Sequence, residues 1–273
     1  MRLRKVMLVF KKDWLEIKRN HEVILPMIII PLILSIGFPL VFIVGITMVP
    51  ESASSMEDLE NMIRNLPEHE RNALSQMTPL QASIYLFTLY FLAPLFLIIP
   101  VMVSSVIAAD SFAGEKERKT IEALLATPIS DSELLLGKVM VSFVPSFMIT
   151  VISFIAYSIL VNILSFTMLG RFLFPNLLWI MLIFCLSPAM AFASICLTVI
   201  ISAKVKGFRE AQQISGMLLL PIIALMLGQI AGIIMLGPVI IGVLTLSIIL
   251  IDYAVLSLSV RAFKREEILQ KLI

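Results

Sequence analysis

The sequence predicts an all-α integral membrane protein: six transmembrane helices, an N-terminal interfacial amphipathic helix and a helical loop on the cytoplasmic side. Three observations predict it. Hydrophobic residues make up 59% of the 273 and charged residues only 15%, whereas soluble domains carry about 25% charged residues. Six stretches reach the roughly 20 mostly apolar residues that a bilayer-spanning helix needs. Finally, 18 of the 21 Lys and Arg fall on one side of those stretches. The boundary of a soluble globule must be largely polar or mixed, so this composition excludes an ordinary soluble enzyme, as well as a disordered chain and a disulfide scaffold. The net charge of +2 gives no sign of a nucleic-acid partner, and none is expected.

Residues 1–22 place Leu3, Val6, Met7, Phe10, Trp14 and Ile17 at helical spacing, with lysines and arginines over the remaining surface. This is an amphipathic helix lying in the inner interface. It is too charged, and lacks the cleavable end, for a secretory signal. The spans are read as Ile24–Val49, Ala82–Ala109, Val139–Leu164, Pro175–Ala203, Ile214–Met235 and Val239–Val260. The outer side holds only Arg64, Arg71 and Arg171, so the positive-inside rule puts both termini in the cytoplasm of a plasma-membrane protein. Prolines at 26, 31, 39, 94, 100, 145, 188 and 221 interrupt spans one to five. Each removes a backbone hydrogen bond and bends its helix, which a membrane tolerates where neighbours satisfy the freed carbonyl. Leu236-Gly237-Pro238 separates the last two spans. It fits a tight hairpin, or a re-entrant segment around Gly228–Gly242. Residues 1–273 read as a single transmembrane domain.

The outer loop, residues 50–80, has six acids; Ser54 or Ser55 can cap a short helix that Pro67 stops, with a second helix over Glu68–Met77. It reads as a solvated helical hairpin over the outer mouth. Cys185 and Cys196 stand eleven residues apart, about 16 Å of helix rise, too far for a disulfide, and both read as small buried hydrophobes. His21 and His69 have no zinc spacing around them, and no metal is expected.

The cytoplasmic loop, residues 110–138, carries the sharpest signal. It runs Glu115-Lys-Glu-Arg-Lys-Thr-Ile-Glu122-Ala-Leu-Leu125-Ala-Thr-Pro128-Ile-Ser130-Asp-Ser-Glu133-Leu-Leu-Leu-Gly137-Lys138. A helix can continue to Ala126 and must end before Pro128. Ser130 and Glu133 then form a capping box for the helix that enters span three. The first arm sets charged residues around an apolar patch of Ile121, Leu124 and Leu125, a pattern that suits docking in a partner's groove or packing on the ends of the spans.

This loop resembles the cytoplasmic signature of ABC-2 type permeases, the membrane subunits of a group of ABC exporters. The match is nearly continuous from Glu115 to Lys138, with Lys119 where many members have glycine, and the likeness points to the sodium- and drug-export-like branch. The resemblance extends over the whole chain and implies the ABC-2 permease fold. It implies a coupling helix over Glu115–Thr127 seated in a cleft of a separate ATPase. Glu115, Glu117, Arg118, Thr120, Ile121, Glu122, Leu124, Leu125 and Pro128 would form that contact. Two permease chains, identical or not, would pair above two ATPase chains. This chain would bind no cofactor, ATP and magnesium belonging to the partner.

Other features agree with a permease that has no catalytic site. There is no G-x-x-x-x-G-K-[ST] phosphate loop; Gly114 to Thr120 lacks the second glycine. Ala224, Gly228 and Gly232 give small-xxx-small spacing on span five, read first as packing within the chain and second as a dimer contact. Asp252 is the only acid within a span core. It and Asn162 are candidates for a substrate or ion pathway, with structural pairing to a basic residue expected first for Asp252. Gln212, Gln213 and Gln229 read as helix-to-helix hydrogen bonds. Two rival readings share the topology: an ion-coupled secondary transporter, for which only Asp252 offers a ligand, and a non-transporting assembly or immunity factor on the same fold.

Overall fold

The computed structural model describes residues 3–48, 71, 74, 77–120, 127, 129–231 and 233–262, with side chains as far as Leu256. A first helix, α1 (Leu3–Ile17), is followed by six helices long and apolar enough to cross a membrane: α2 (His21–Met48), α3 (Pro79–Glu117), α4 (Asp131–Leu169), α5 (Leu177–Lys204), α6 (Phe208–Ile230) and α7 (Pro238–Ala262). The chain is therefore a multi-pass membrane protein. Its centre is α3, whose apolar window is 78% buried, against 17% for α6 and for α7. The spans around α3 present Ile28, Val41, Ile152, Ile163, Leu227, Leu246 and Leu250 outward, as a lipid-facing surface requires.

The prolines leave a specific imprint. Three spans widen into π-helical turns at Ile33–Gly37, Phe87–Phe91 and Leu182–Leu186. Each turn contains the residue four before a proline (Pro39, Pro94 and Pro188), the carbonyl that proline deprives of its donor. At Phe87–Phe91 neighbouring helices fill the opening. Tyr157 on α4 donates to the Thr88 carbonyl at 2.6 Å, and Trp179 on α5 donates to the Leu89 carbonyl at 3.0 Å. Both rings stack at 4.7 Å in an aromatic cluster with Phe96 and Phe174. The fourth π-turn, Asp110–Gly114, has no proline to explain it and lies where buried polar side chains converge.

Several boundaries differ from the sequence reading. Span five begins at Phe208 and ends at Ile230. Its polar first turn is held by a cap from α3, and its end folds back through Ile233 and Ile234 amides onto the Gly228 carbonyl. The link to α7 therefore covers 231–237, wider than the Gly-Pro turn alone. The helix of span two stops at Glu117, and the rest of the expected first arm, 121–126, lies outside the described residues. Span three starts at Asp131 on the expected Ser130–Glu133 capping box. Cys196 is buried, but Cys185 is exposed, because its side of α5 faces outward. The two outer-loop helices expected over residues 54–77 lie outside the described residues, apart from Arg71, Leu74 and Met77.

Candidate functional site

The buried face of α1 is Val6, Val9, Asp13 and Ile17. These recur at helical spacing, so the stripe that packs contains an acid, while Leu3, Met7 and Leu8 are exposed. The helix lies against α4 at Gly137, where a Cβ would stand 2.7 Å from the Val9 Cβ and 3.1 Å from the Val6 carbonyl. Only the missing side chain allows this approach.

That approach delivers Asp13 to Lys138, the next residue on α4. The Lys138 ammonium is wholly buried. Its Nζ lies 2.6 Å from Glu115 Oε2 and 3.3 Å from Asp13 Oδ2. Ser111 donates to Asp13 Oδ2 at 2.6 Å. Lys12 closes the cage: its Nζ pairs with Glu115 Oε1, and with Asp13 Oδ1 and Glu16 Oε2 at 3.2 Å each. Asp13 and Glu115 thus balance Lys12 and Lys138, which is what burying charge requires. Burial by itself would raise the Asp13 carboxyl, but the Lys138 and Lys12 ammoniums and the Ser111 hydroxyl outweigh it and hold that carboxyl below its ordinary range. Burial also opposes the charged Lys12, but Asp13, Glu115 and Glu16 hold it above the usual lysine range. Three acids here, Asp13, Glu16 and Glu115, lie close enough to hold a cation; the two lysines already fill that role.

The same stretch of α3 also reaches α2, α5 and α6. Buried Asp110 accepts from Arg118 at 2.9 Å and from Asn20 at 3.1 Å, and Asn20 also caps α2. Lys116 donates to the Val205 carbonyl at 2.9 Å, just past the end of α5; Glu117 accepts from the Phe208 amide at 2.8 Å, at the start of α6. A cation at a helix C-terminus and an anion at an N-terminus both oppose the local dipole. A Cβ on Gly207 would stand 2.6 Å from Glu117 Oε2, so a side chain there would push the carboxylate off the Phe208 amide.

The chain leaves α3 through a firm stop. The Thr120 amide bonds to the Glu115 carbonyl at 3.0 Å and the Lys119 amide to the Lys116 carbonyl at 3.2 Å, with Lys119 left-handed at φ 56°. This is a Schellman turn, whose left-handed position favours glycine. The chain returns to α4 through the Ser130–Glu133 box. Residues 120–129 are thereby bracketed by two fixed corners, and Glu115 and Lys138 tie the corners together.

Of the expected coupling residues, Glu117, Arg118 and Thr120 are exposed. Glu115 is 1% exposed and belongs to the cage. Ile121, Glu122, Leu124, Leu125 and Pro128 lie outside the described residues. Asn162 is occupied elsewhere: its carboxamide accepts from the Leu173 and Phe174 amides at 3.0 and 2.9 Å and donates to the Phe174 carbonyl at 3.0 Å, stapling the 170–176 loop. Ala224 is exposed, and a Cβ on Gly228 would meet only Ile234 of the following loop, at 3.8 Å. Among the described residues this face of α6 meets no other helix, so the within-chain packing expected first finds no support there; Gly232 lies outside the described residues. Gln229 is buried, and among the described residues neither end of its carboxamide is bonded, so the expected helix-to-helix bond is not found there. The expected pairing of Asp252 with a basic residue is also absent among the described residues.

Asp13, Lys12, Ser111 and Asp110 were missed as functional candidates. One signal pointed to Asp13, an acid in register with Val6 and Val9.

The sequence model described as "ABC-2 family transporter protein" matches residues 7–268. No curated protein matches the chain.

Proposed function

The chain belongs to the ABC-2 transporter family, a transport membrane component rather than a catalyst, and from that premise we propose that it is the permease subunit of an ATP-driven exporter in the plasma membrane. In this reading the lysine-rich end of the bundle faces the cytoplasm. A separate ATPase subunit, carrying ATP and magnesium, docks on the segment from Lys116 to Pro128, with Glu122 and the apolar Ile121, Leu124 and Leu125 at the contact. Two permease chains pair above two ATPases. The aliphatic, proline-bent spans favour an amphiphilic or hydrophobic cargo.

One observation carries the reading: the Lys138 cage. A coupling segment transmits force only if its base is stiff. Here the base is a buried ionic cluster joining α1, α3 and α4, and removing one member of such a cluster costs about 3–5 kcal/mol. Lys116 and Glu117 extend the connection to α5 and α6. A displacement of the segment therefore moves five helices together. Glu115, expected at the dock, serves the base instead.

The test is co-purification from native membranes in mild detergent, followed by mass spectrometry, for the wild type and for Glu122→Arg. A Walker-containing ATPase that accompanies the wild type and is lost from the still-folded variant is the expected result. No ATPase under conditions that keep other complexes intact overturns the reading.

A further inference from the structure

A second polar feature lies far from the cage. Asp252 sits near the middle of α7, about 21 Å of helix rise from Pro238 and about 15 Å from Ala262. It is 5% exposed. Its Oδ1 is shielded from solvent without a hydrogen-bond partner, and no described residue forms an ion pair with it. Nearby helices offer no cation. On α7 the next is Arg261, nine residues on, about 13 Å of rise. On α4 it is Lys138, already bound within the cage. On α5 it is Lys204, at the end of the helix.

Asp252 lines a pocket of about 400 Å³ between α4, α5 and α7, within the usual range for small-molecule sites. Three aromatic rings, Phe143, Phe192 and Tyr253, share the lining, and the rest is aliphatic apart from Cys185. Tyr253 is 81% exposed and Cys185 is exposed. The pocket therefore opens sideways at mid-height, on a surface that lipid covers in a membrane.

An ionisable side chain within a span normally faces a partner. The chemistry of this lining narrows what that partner is. A bare metal cation requires several oxygen ligands, and only one carboxylate is present, beside a single phenol. An anion is repelled. A neutral lipid gains nothing from a buried acid. A multiply charged cation would leave charge uncompensated against aliphatic walls. We propose that the pocket binds a lipophilic monocation from within the bilayer, its charged centre beside Asp252 and its apolar groups against Phe143, Phe192 and Tyr253, whose faces attract cations. As a binding site it stands independently of ATPase docking. Only the further step, that the bound cation is cargo, rests on the permease reading.

The probe pair is tetraphenylphosphonium and tetraphenylborate, which share shape and size and differ in the sign of charge. Equilibrium binding of radiolabelled tetraphenylphosphonium to the purified full chain in nanodiscs is expected to saturate at one site per chain. Unlabelled tetraphenylphosphonium displaces it and tetraphenylborate does not. Asp252→Asn is expected to weaken binding at least ten-fold, and Asp252→Glu to retain most of it. In the wild type, tetraphenylphosphonium is expected to slow maleimide alkylation of Cys185 in detergent; Cys196 is buried and does not compete. The proposal is overturned by non-saturable binding, by equal displacement with tetraphenylborate, by an Asn variant that binds like the wild type, or by an unprotected Cys185. The borate and Cys185 arms need no variant, so a misfolded Asp252→Asn leaves the test intact. Loss of this site would not touch ATPase co-purification, and loss of co-purification would not touch this site.

Discussion

Lys138 Nζ lies 2.6 Å from Glu115 Oε2 across 23 residues of sequence, and both side chains are almost wholly buried. They are the two ends of one sequence motif. The residues between them leave α3 and return to α4, so the ion pair closes the loop at its base.

Removing one partner leaves the other buried and uncompensated, at a cost of about 3–5 kcal/mol. Lys138→Met is therefore expected to lower the unfolding midpoint sharply in mild detergent. Pairing it with Glu115→Gln is expected to recover part of the loss, because Asp13 retains Lys12. Additive losses in the double-mutant cycle would show that the two residues do not act as a pair.

Gly137→Ala is expected to push α1 off α4, since the new Cβ would stand 2.7 Å from the Val9 Cβ. Overpacking of this kind costs about 1–3 kcal/mol. Limited proteolysis between α1 and α2 should accelerate, and Val9→Ala in the same chain should slow it again. Wild-type cleavage rates in Gly137→Ala would disprove the close packing.

Asp13 gives the cage a pH dependence. Its carboxyl is held below its unfolded value, so its contribution is present above about pH 4. It is lost as the pH falls through the lower folded value. The unfolding midpoint of the wild type is expected to drop on this acid limb, and Asp13→Asn to be less stable at neutral pH with a flatter acid limb. Equal slopes in the two proteins would place the acid sensitivity elsewhere.

Lys119 is left-handed at φ 56°, a conformation a non-glycine residue adopts at a cost of about 1 kcal/mol or more. Lys119→Gly is expected to raise stability by up to about 1 kcal/mol after glycine's unfolded-state entropy is subtracted. Lys119→Val should lower it by more than that. A destabilised glycine variant would mean that the lysine side chain, not the backbone, holds the turn.

The legible parts of this molecule are those with a local cause. The six spans follow from runs of apolar residues, and the start of α4 from Ser130 and Glu133 three residues apart. The cage is not legible because the contacts that join its helices span 23 to 125 residues, and periodicity carries no information at that range. Lys138 reads as a topology-setting charge, and Asp13 is one acid in a helix of apolar and basic residues. Glu115 reads as one of a run of exposed charges. The π-turn at Asp110–Gly114 adds a residue to the helix repeat and rotates Glu115 inward, leaving Glu117 outside.

The corner between α5 and α6 depends on Glu117. Its carboxylate caps the Phe208 amide at 2.8 Å, and Gly207 provides the room. Replacing a capping oxygen costs about 0.5–2 kcal/mol. Because the loss falls on a helix end and not on the core, Glu117→Ala is expected to leave the global unfolding midpoint nearly unchanged. The first turn of α6 should fray, and its amides should exchange hydrogen faster than in the wild type. Gly207→Ala attacks the same contact from the other side, so it should accelerate the same amides. The two changes together should do little more than either alone, since each removes the same hydrogen bond. Unaltered exchange over 208–211 in Glu117→Ala would show that α6 is started by its own sequence, without help from α3.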